Sequence, residues 1–210
     1  MKFGNLTWGQ TEALINKIGG EDVVRAILAD RMRFEITEKS VLAPLEQVTL
    51  DPKNPMNPSE FFTTRSGLWV SDRAKDLFLS ATSDEVTLTG GITIAPFTLT
   101  EQANDKTIRD ALPESHVFGA DELAAILAHL IECQWGGKSG ILDEKNYNWN
   151  LFYVKSKDGQ VFVVGVYWGA GGRECFVRAW EAGDAWDAVD RIFSRLPAQA
   201  GNCPPAGEAG

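Results

Sequence analysis

Apolar positions along the chain follow two rhythms, one of period two and one near 3.6, and the switches between them mark the main elements. Period two rules from Asn146 to Trp180, NYNWNLFYVKSKDGQVFVVGVYWGAGGRECFVRAW, where aromatic and β-branched residues form three runs divided by Asp158-Gly159 and by Gly169 to Gly172. This pattern predicts a three-stranded antiparallel meander. Lys157 to Gln160 suits a two-residue hairpin, because Asp and Gly accept the positive φ of a type I′ turn. In the second run Val161, Val163 and Tyr167 alternate with Phe162, Val164, Val166 and Trp168, so both faces are apolar and the strand should be central. Gly165 inside it marks a bulge or a close approach by another group. The third run separates Cys175, Val177 and Ala179 from Glu174, Phe176, Arg178 and Trp180, a second face that mixes charge with aromatic area.

Helical spacing governs other stretches. Leu123, Ile126, Leu127, Leu130 and Ile131 form one stripe, Asp121-Glu122 favours its start and Gly136-Gly137 stops it, which predicts a helix from about Ala120 to Cys133 packed on the meander. From Asp184 to Arg195, Trp186, Val189, Phe193 and Leu196 share a helical face, with a strand at Arg191 to Phe193 as the competing pattern. Near the N-terminus Thr7-Trp8-Gly9-Gln10 is a capping box that opens a helix to about Lys17. Gly19-Gly20 supplies a left-handed stop, and Glu21-Asp22 begins a second helix to about Asp30, with Val23, Val24, Ile27 and Leu28 on its buried side. The pair is an αα-hairpin, the skeleton of a helix-turn-helix.

From Arg33 to Leu50 the pattern is short and strand-like, with Phe34 and Ile36 alternating. Asp51 to Ser59, DPKNPMNPS, holds three prolines and reads as a linker. Beyond it Ser66 to Val70 suggests an edge strand that leads into a helix capped by Ser71. Val86 to Leu88, Ile92 to Ile94 and Phe97 to Leu99 are short strands, and Asn104 caps a brief helix through Ala111. The organisation expected is therefore an N-terminal helical hairpin module with short strands (1–50), a Pro-rich linker (51–60), an α+β domain (61–196) and a disordered tail (197–210). The fold class is α+β, an antiparallel sheet covered by helices.

Composition narrows the classes. The chain has 210 residues, 44% of them apolar and 23% charged, which is ordinary for a globular protein and excludes wholesale disorder. A net charge of −9 opposes non-specific binding to nucleic-acid phosphates or anionic membranes. No apolar run approaches the ~20 residues that cross a bilayer, and the first residues do not read as a signal peptide, so the expected location is cytoplasmic. Cys133, Cys175 and Cys203 are too few and too scattered for a disulfide framework or zinc knuckle, and reduced thiols are expected.

Candidate chemistry is sparse. Gly136-Gly137-Lys138-Ser139 evokes a phosphate loop, yet the full motif requires a Gly where Glu132 or Cys133 sits and a strand, not a helix, before it. A helix-ending loop explains it better. His129 and Cys133, four residues apart on one helix, have a spacing at which two side chains share a metal or form a Cys-His pair. They lack further ligands or an orienting third group, since the other histidine, His116, lies in a loop; a flanking histidine with a buried thiol is the simpler account. Asp143, Glu144, Asp158, Glu174, Asp184 and Asp187 surround the meander, but such acids at turns and helix starts are usually caps or solvated surface. The N-terminal hairpin carries Lys17, Arg25, Arg31 and Arg33, while Glu21 and Asp22 stand where a recognition helix would meet DNA phosphates.

Several stretches, GQTEALINKIGGEDVVRAIL, RSGLWV, LPESHVF, NLFYV and VYW, resemble uncharacterised bacterial hypothetical proteins of unknown function. The resemblance implies a recurrent two-part architecture and brings no activity, cofactor or catalytic residue with it.

The aromatic set remains. Trp135, Tyr147, Trp149, Trp168, Phe176 and Trp180 gather in or beside the meander, joined by Arg173 and Arg178 near the Gly-rich turn. A Trp-rich core is one explanation. A binding surface is the other, since Trp, Tyr and Arg supply interface anchors. With no catalytic constellation and no cofactor implied, the sequence points to a non-enzymatic binding or protein-interaction protein, with Trp135, Tyr147, Trp149, Trp168, Arg173, Arg178 and Trp180 as binding residues and an unknown protein or small ligand as partner. The alternatives are a DNA-associated regulator acting through the N-terminal hairpin and an enzyme with a cleft near His129 and Cys133.

Overall fold

A computed structural model describes residues 7–29, 31, 40–52, 55–63, 66–88, 90–144, 148–169 and 173–196. The chain divides into two compact units, residues 1–39 and 40–210. In the first, helix α1 (Trp8–Lys17) starts at the Thr7 capping box, whose hydroxyl accepts from Gln10 N at 3.3 Å while Gln10 Oε1 accepts from Thr7 N at 2.9 Å. Gly19 and Gly20, both at positive φ, turn the chain into α2 (Glu21–Leu28). Neither helix buries a residue. The alternating residues Phe34 and Ile36 lie outside the described residues, as does the tail from residue 197.

The second unit is α+β. Its elements in order are β1 (Leu42–Pro44), β2 (Val48–Leu50), α3 (Pro58–Phe61), β3 (Leu68–Val70), α4 (Asp72–Leu77), β4 (Ile92–Leu99), β5 (Ala103–Asn104), α5 (Asp105–Ala111), β6 (Phe118–Gly119), α6 (Ala120–Gln134), β7 (Asn150–Lys155), β8 (Val161–Trp168), β9 (Cys175–Glu181), β10 (Ala185–Trp186) and β11 (Arg191–Arg195). The main sheet runs β1-β4-β11-β7-β8-β9-β3, with β2 also on β4 and β6 also on β7, while β5 and β10 pair separately.

The sheet is mixed, where the sequence pattern suggested an antiparallel one. β7, β8 and β9 are consecutive antiparallel neighbours, but β11 lies parallel to β7, β3 parallel to β9 and β6 parallel to β7. Periodicity specifies that a stretch is a strand; the direction of a neighbour brought in from a distant part of the chain comes from the path between them.

Four further expectations are revised. Residues 42–50 do not belong to an N-terminal module, because β1 and β2 both pair with β4 of the larger unit. The Pro-rich segment after them is structured in part: Met56 forms a bridge with Val86, Asn57 caps α3, and Pro58 is buried at the first position of that helix, where its missing N–H costs nothing. Asp184 to Arg195 holds β10 and β11 in place of a helix, so the competing strand pattern at Arg191 to Phe193 is the one that forms. Ile192, Phe193 and Ser194 are buried between β4 and β7, so tertiary pairing on both sides overrides a helical spacing that included the exposed Val189. Finally, five residues separate β7 from β8, and Ser156 N donating to Gln160 O at 2.8 Å leaves Lys157 to Gly159 as a three-residue turn where a two-residue one was expected. Gly159 alone takes positive φ there, the geometry of a turn followed by a bulge.

The sheet separates two apolar clusters. On one face α6 lays Leu123, Ile126, Leu127, Leu130 and Ile131 over Phe152, Val164, Val166 and Val177, all fully or nearly fully buried. Phe152 stacks on Phe193 with ring centroids 4.6 Å apart and meets Phe118 edge-on at 5.9 Å. Each such Leu or Ile contributes on the order of 1.5–3 kcal/mol of transfer free energy before entropy is counted. The second cluster, on the other face, joins Leu99, Leu151, Tyr153, Val163 and Ile192 to Ile108 and Leu112 of the α5 segment and to Trp186. α5 covers only part of this face. No helix among the described residues is long and apolar enough to cross a membrane.

Candidate functional site

Strand alternation divides the candidate aromatics between the two faces. Trp168, in register with Cys175, points to the α6 side, is 1% exposed and meets Trp135 edge-on at 6.1 Å. These two tryptophans are core and rim of the covered face. Tyr167 and Phe176, one position along on their strands, point the other way.

There they form a row across four strands. Trp149 stands just before β7, Tyr167 is on β8, Phe176 is paired with it on β9, and Trp69 is paired with Phe176 on β3. Tyr167 and Phe176 stack at 4.6 Å with planes 4° apart, Trp69 follows at 6.5 Å and 14°, and Trp149 meets Tyr167 edge-on at 4.4 Å. Trp180 continues the cluster, 4.8 Å from Trp149 and 5.3 Å from the buried Trp186. Cross-strand aromatic pairs of this kind hold a sheet in register.

Gly165 explains how two large rings fit so close to the backbone. A Cβ there would lie 2.7 Å from Trp180 and 2.9 Å from Trp149, so the absent side chain is the space their rings occupy. Arg178, paired with Gly165, is exposed and holds its guanidinium 5.9 Å from the ring centres of both Trp149 and Tyr167, within cation–π range. Trp149, Tyr167, Phe176 and Trp180 are half-buried, and Trp69 is 49% exposed. A cleft of about 190 Å³ opens at the end of the row between Trp69, Ser71, Phe176 and Arg178.

The other candidates are dispersed. Arg173 is exposed, with its carbonyl beside Gly67, and it lies outside the row; Tyr147 lies outside the described residues. His129 is half-buried and lines a cleft of about 270 Å³ with Met56, Glu60, Phe61 and Glu132. Cys133 is exposed, its Sγ 3.7 Å from His129 Nε2, and it is Cys175 that is the buried thiol, pushed up to about 12 by burial. Among the described residues no three His, Cys, Asp or Glu side chains converge on a place that could hold a metal ion. Gly136 to Ser139 is an exposed turn that ends α6, with Gly136 and Gly137 at positive φ.

The carboxylates have local partners. Asp143 lies 3.6 Å from Arg191 and accepts from Asn148, Glu144 accepts from Gln134 at 2.8 Å, and Asp158 accepts from Ser156 inside its turn, a bond that lowers its pKa from the ordinary carboxylate value. In the N-terminal unit Arg25 is paired with Glu21 at 2.7 Å, one turn earlier on the same helix.

Trp69 and Tyr167 are the members of the row that were not singled out in the sequence. The signal for Tyr167 was present: it alternates with Trp168, so the two cannot share a face. Nothing local signalled Trp69, because its place beside Phe176 depends on a parallel pairing across more than one hundred residues of chain. No family model matches the chain, and no curated protein or solved structure matches it.

Proposed function

We propose that the chain is a non-enzymatic binding protein that captures a protein partner on the open part of the second sheet face. The observation that supports this is the uncovered row Trp149, Tyr167, Phe176 and Trp69 with Arg178 laid over it. Large rings and Arg held by their neighbours lose little side-chain entropy on binding, the property of interface anchors. The faces of Tyr167 and Phe176 are already spent on each other, so the row offers mainly ring edges and the outer face of Trp69. That favours an apolar protein surface over a sugar or base, which would stack on free ring faces.

The test uses the wild-type chain, a Trp69→Ser/Arg178→Ala variant and a Lys157→Ala control as immobilised baits, with thermal melting of each measured beforehand. A partner retained by wild type and control and lost by the double variant, with melting little changed, is the expected result. Equal retention by all three baits, or none by any, would reject the reading.

A further inference from the structure

A different cleft, of about 430 Å³, opens beside α5 and is lined by Asp105, Lys106, Arg109, Asp110, His116 and Gly183. Most of its charged groups are already satisfied. Asp105 is buried, and its carboxylate accepts four hydrogen bonds: Oδ1 from Tyr153 Oη and Trp186 Nε1, each at 2.7 Å, and Oδ2 from the backbone N–H groups of Gly183 at 2.6 Å and Asp184 at 3.0 Å. Both oxygens are doubly occupied, so Asp105 fastens α5 to β7 and β10 and has little capacity left for a ligand. Burial first, and then the Asp105 charge, raises the Tyr153 pKa above its ordinary 10.0, which keeps the phenol a donor. Lys106 is paired with Asp110 at 2.5 Å.

Arg109 is the exception. Its Nε donates to His116 Nε2 at 3.4 Å, and its guanidinium carbon lies 5.9 Å from the centre of the Tyr153 ring. His116 is held in turn by Nδ1 donating to Pro113 O at 2.7 Å, an assignment that leaves Nε2 as the acceptor Arg109 needs. Among the described residues no carboxylate forms an ion pair with Arg109. A half-buried guanidinium is thus fixed through one nitrogen at the wall of a cleft, with its two terminal nitrogens without a counter-ion. Beside it the backbone at Gly183 is bare: a Cβ there would meet nothing within 4 Å, so a ligand has room to approach the chain closely.

We propose that this cleft binds a small oxyanion, a carboxylate or phosphate group, on the terminal nitrogens of Arg109. The planar fork of an arginine matches two oxygens of either group, and an anion there would make the direct ion pair that no described carboxylate makes with Arg109, Asp105 being occupied by its four donors. The site is separate from the aromatic row and stands or falls independently of it.

The test is a titration of the isotope-labelled full chain with sodium phosphate and, separately, with sodium succinate, at constant ionic strength set with chloride. The expected result is saturable movement of the Gly183 and Asp184 amide signals and the Arg109 guanidinium signals by at least one anion below about 10 mM, with affinity reduced about tenfold or more in Arg109→Gln. Response to phosphate alone assigns a phosphate ligand, and response to succinate alone a carboxylate. Ala182→Phe provides a second variant if Arg109→Gln does not fold, because Ala182 is an exposed residue of the cleft wall whose enlargement fills the space and should abolish saturation. Movement no greater than that caused by chloride, or saturation undiminished in the folded variants, would overturn the proposal.

Discussion

The β7-β8-β9-β3 part of the main sheet has two faces built from the same strands, yet one is sealed and the other is partly open. On the α6 side, Phe152, Val164, Val166, Trp168 and Val177 lie under a helix and are at most 1% exposed. On the other side, Tyr167, Phe176 and Trp69 sit one residue out of phase with that core and remain in reach of solvent. Adjacent residues of one strand therefore have different work to do. Trp168 contributes its area to folding, whereas its neighbour Tyr167 is half-buried, stacked on Phe176 with part of its ring still at the surface.

The largest effect that sharpens this contrast is expected for Trp168→Ala. Removing a ring that is 1% exposed leaves a cavity beside Trp135, and a loss of about 3–5 kcal/mol should appear as a lower denaturant midpoint. A loss below about 1 kcal/mol would mean that the α6 side is not the sealed face. Gly165→Ala probes the other side, where the new Cβ would stand 2.7 Å from the Trp180 ring and 2.9 Å from that of Trp149. Displacing those rings should cost about 1–3 kcal/mol and alter the near-ultraviolet circular dichroism of the tryptophans. An unchanged spectrum would show that the rings do not rest on Gly165.

Acid should weaken the covered part of the second face. His116 packs edge-on against Tyr153 at 5.8 Å, and burial, aided by the nearby Arg109 charge and opposed by the bond to Pro113, lowers its pKa from the ordinary 6.5. The folded state then favours the neutral ring, while the unfolded chain takes up a proton first as pH falls. This contribution to stability is complete above the unfolded value near 6.5, declines as pH drops through it, and levels off below the lowered folded value. Melting of wild type against His116→Asn across that window should show a slope in the first that is absent in the second. The smallest effect on stability is expected for Trp69→Ala, below about 1 kcal/mol, because about half of the side chain is already in water. Loss of partner capture with so small a change in stability would separate contact from folding, and a large destabilisation would place Trp69 in the core instead.

Much of the secondary structure was legible because its causes are local. Thr7, Ser71 and Asn104 cap helices through side chains that reach only three residues ahead, whereas the Asn57 cap of α3 was hidden in a Pro-rich stretch read as a linker. The α6 stripe and the runs at 150–155, 161–168 and 175–181 show the periods of a helix and of strands. The candidate site was legible only in its ingredients. Trp149, Phe176, Arg178 and Trp180 do lie together, but Trp135 and Trp168 were grouped with them although strand parity sends Trp168 to the opposite face. Asp105 is not among the residues the sequence singles out, yet it is the buried acceptor for Tyr153 and Trp186, which lie 48 and 81 residues away along the chain.

What the sequence determined by itself was the α+β class, the caps, the helix stripe and the strand runs, all properties set by neighbours within a few positions. Tertiary structure alone decided that β11 enters between β4 and β7, that β3 joins β9 in parallel and so brings Trp69 to Phe176, and that α5 covers one end of the second face but not the other. Those outcomes rest on which distant surfaces bury each other best, a quantity that depends on the whole chain and is written in no single stretch of it.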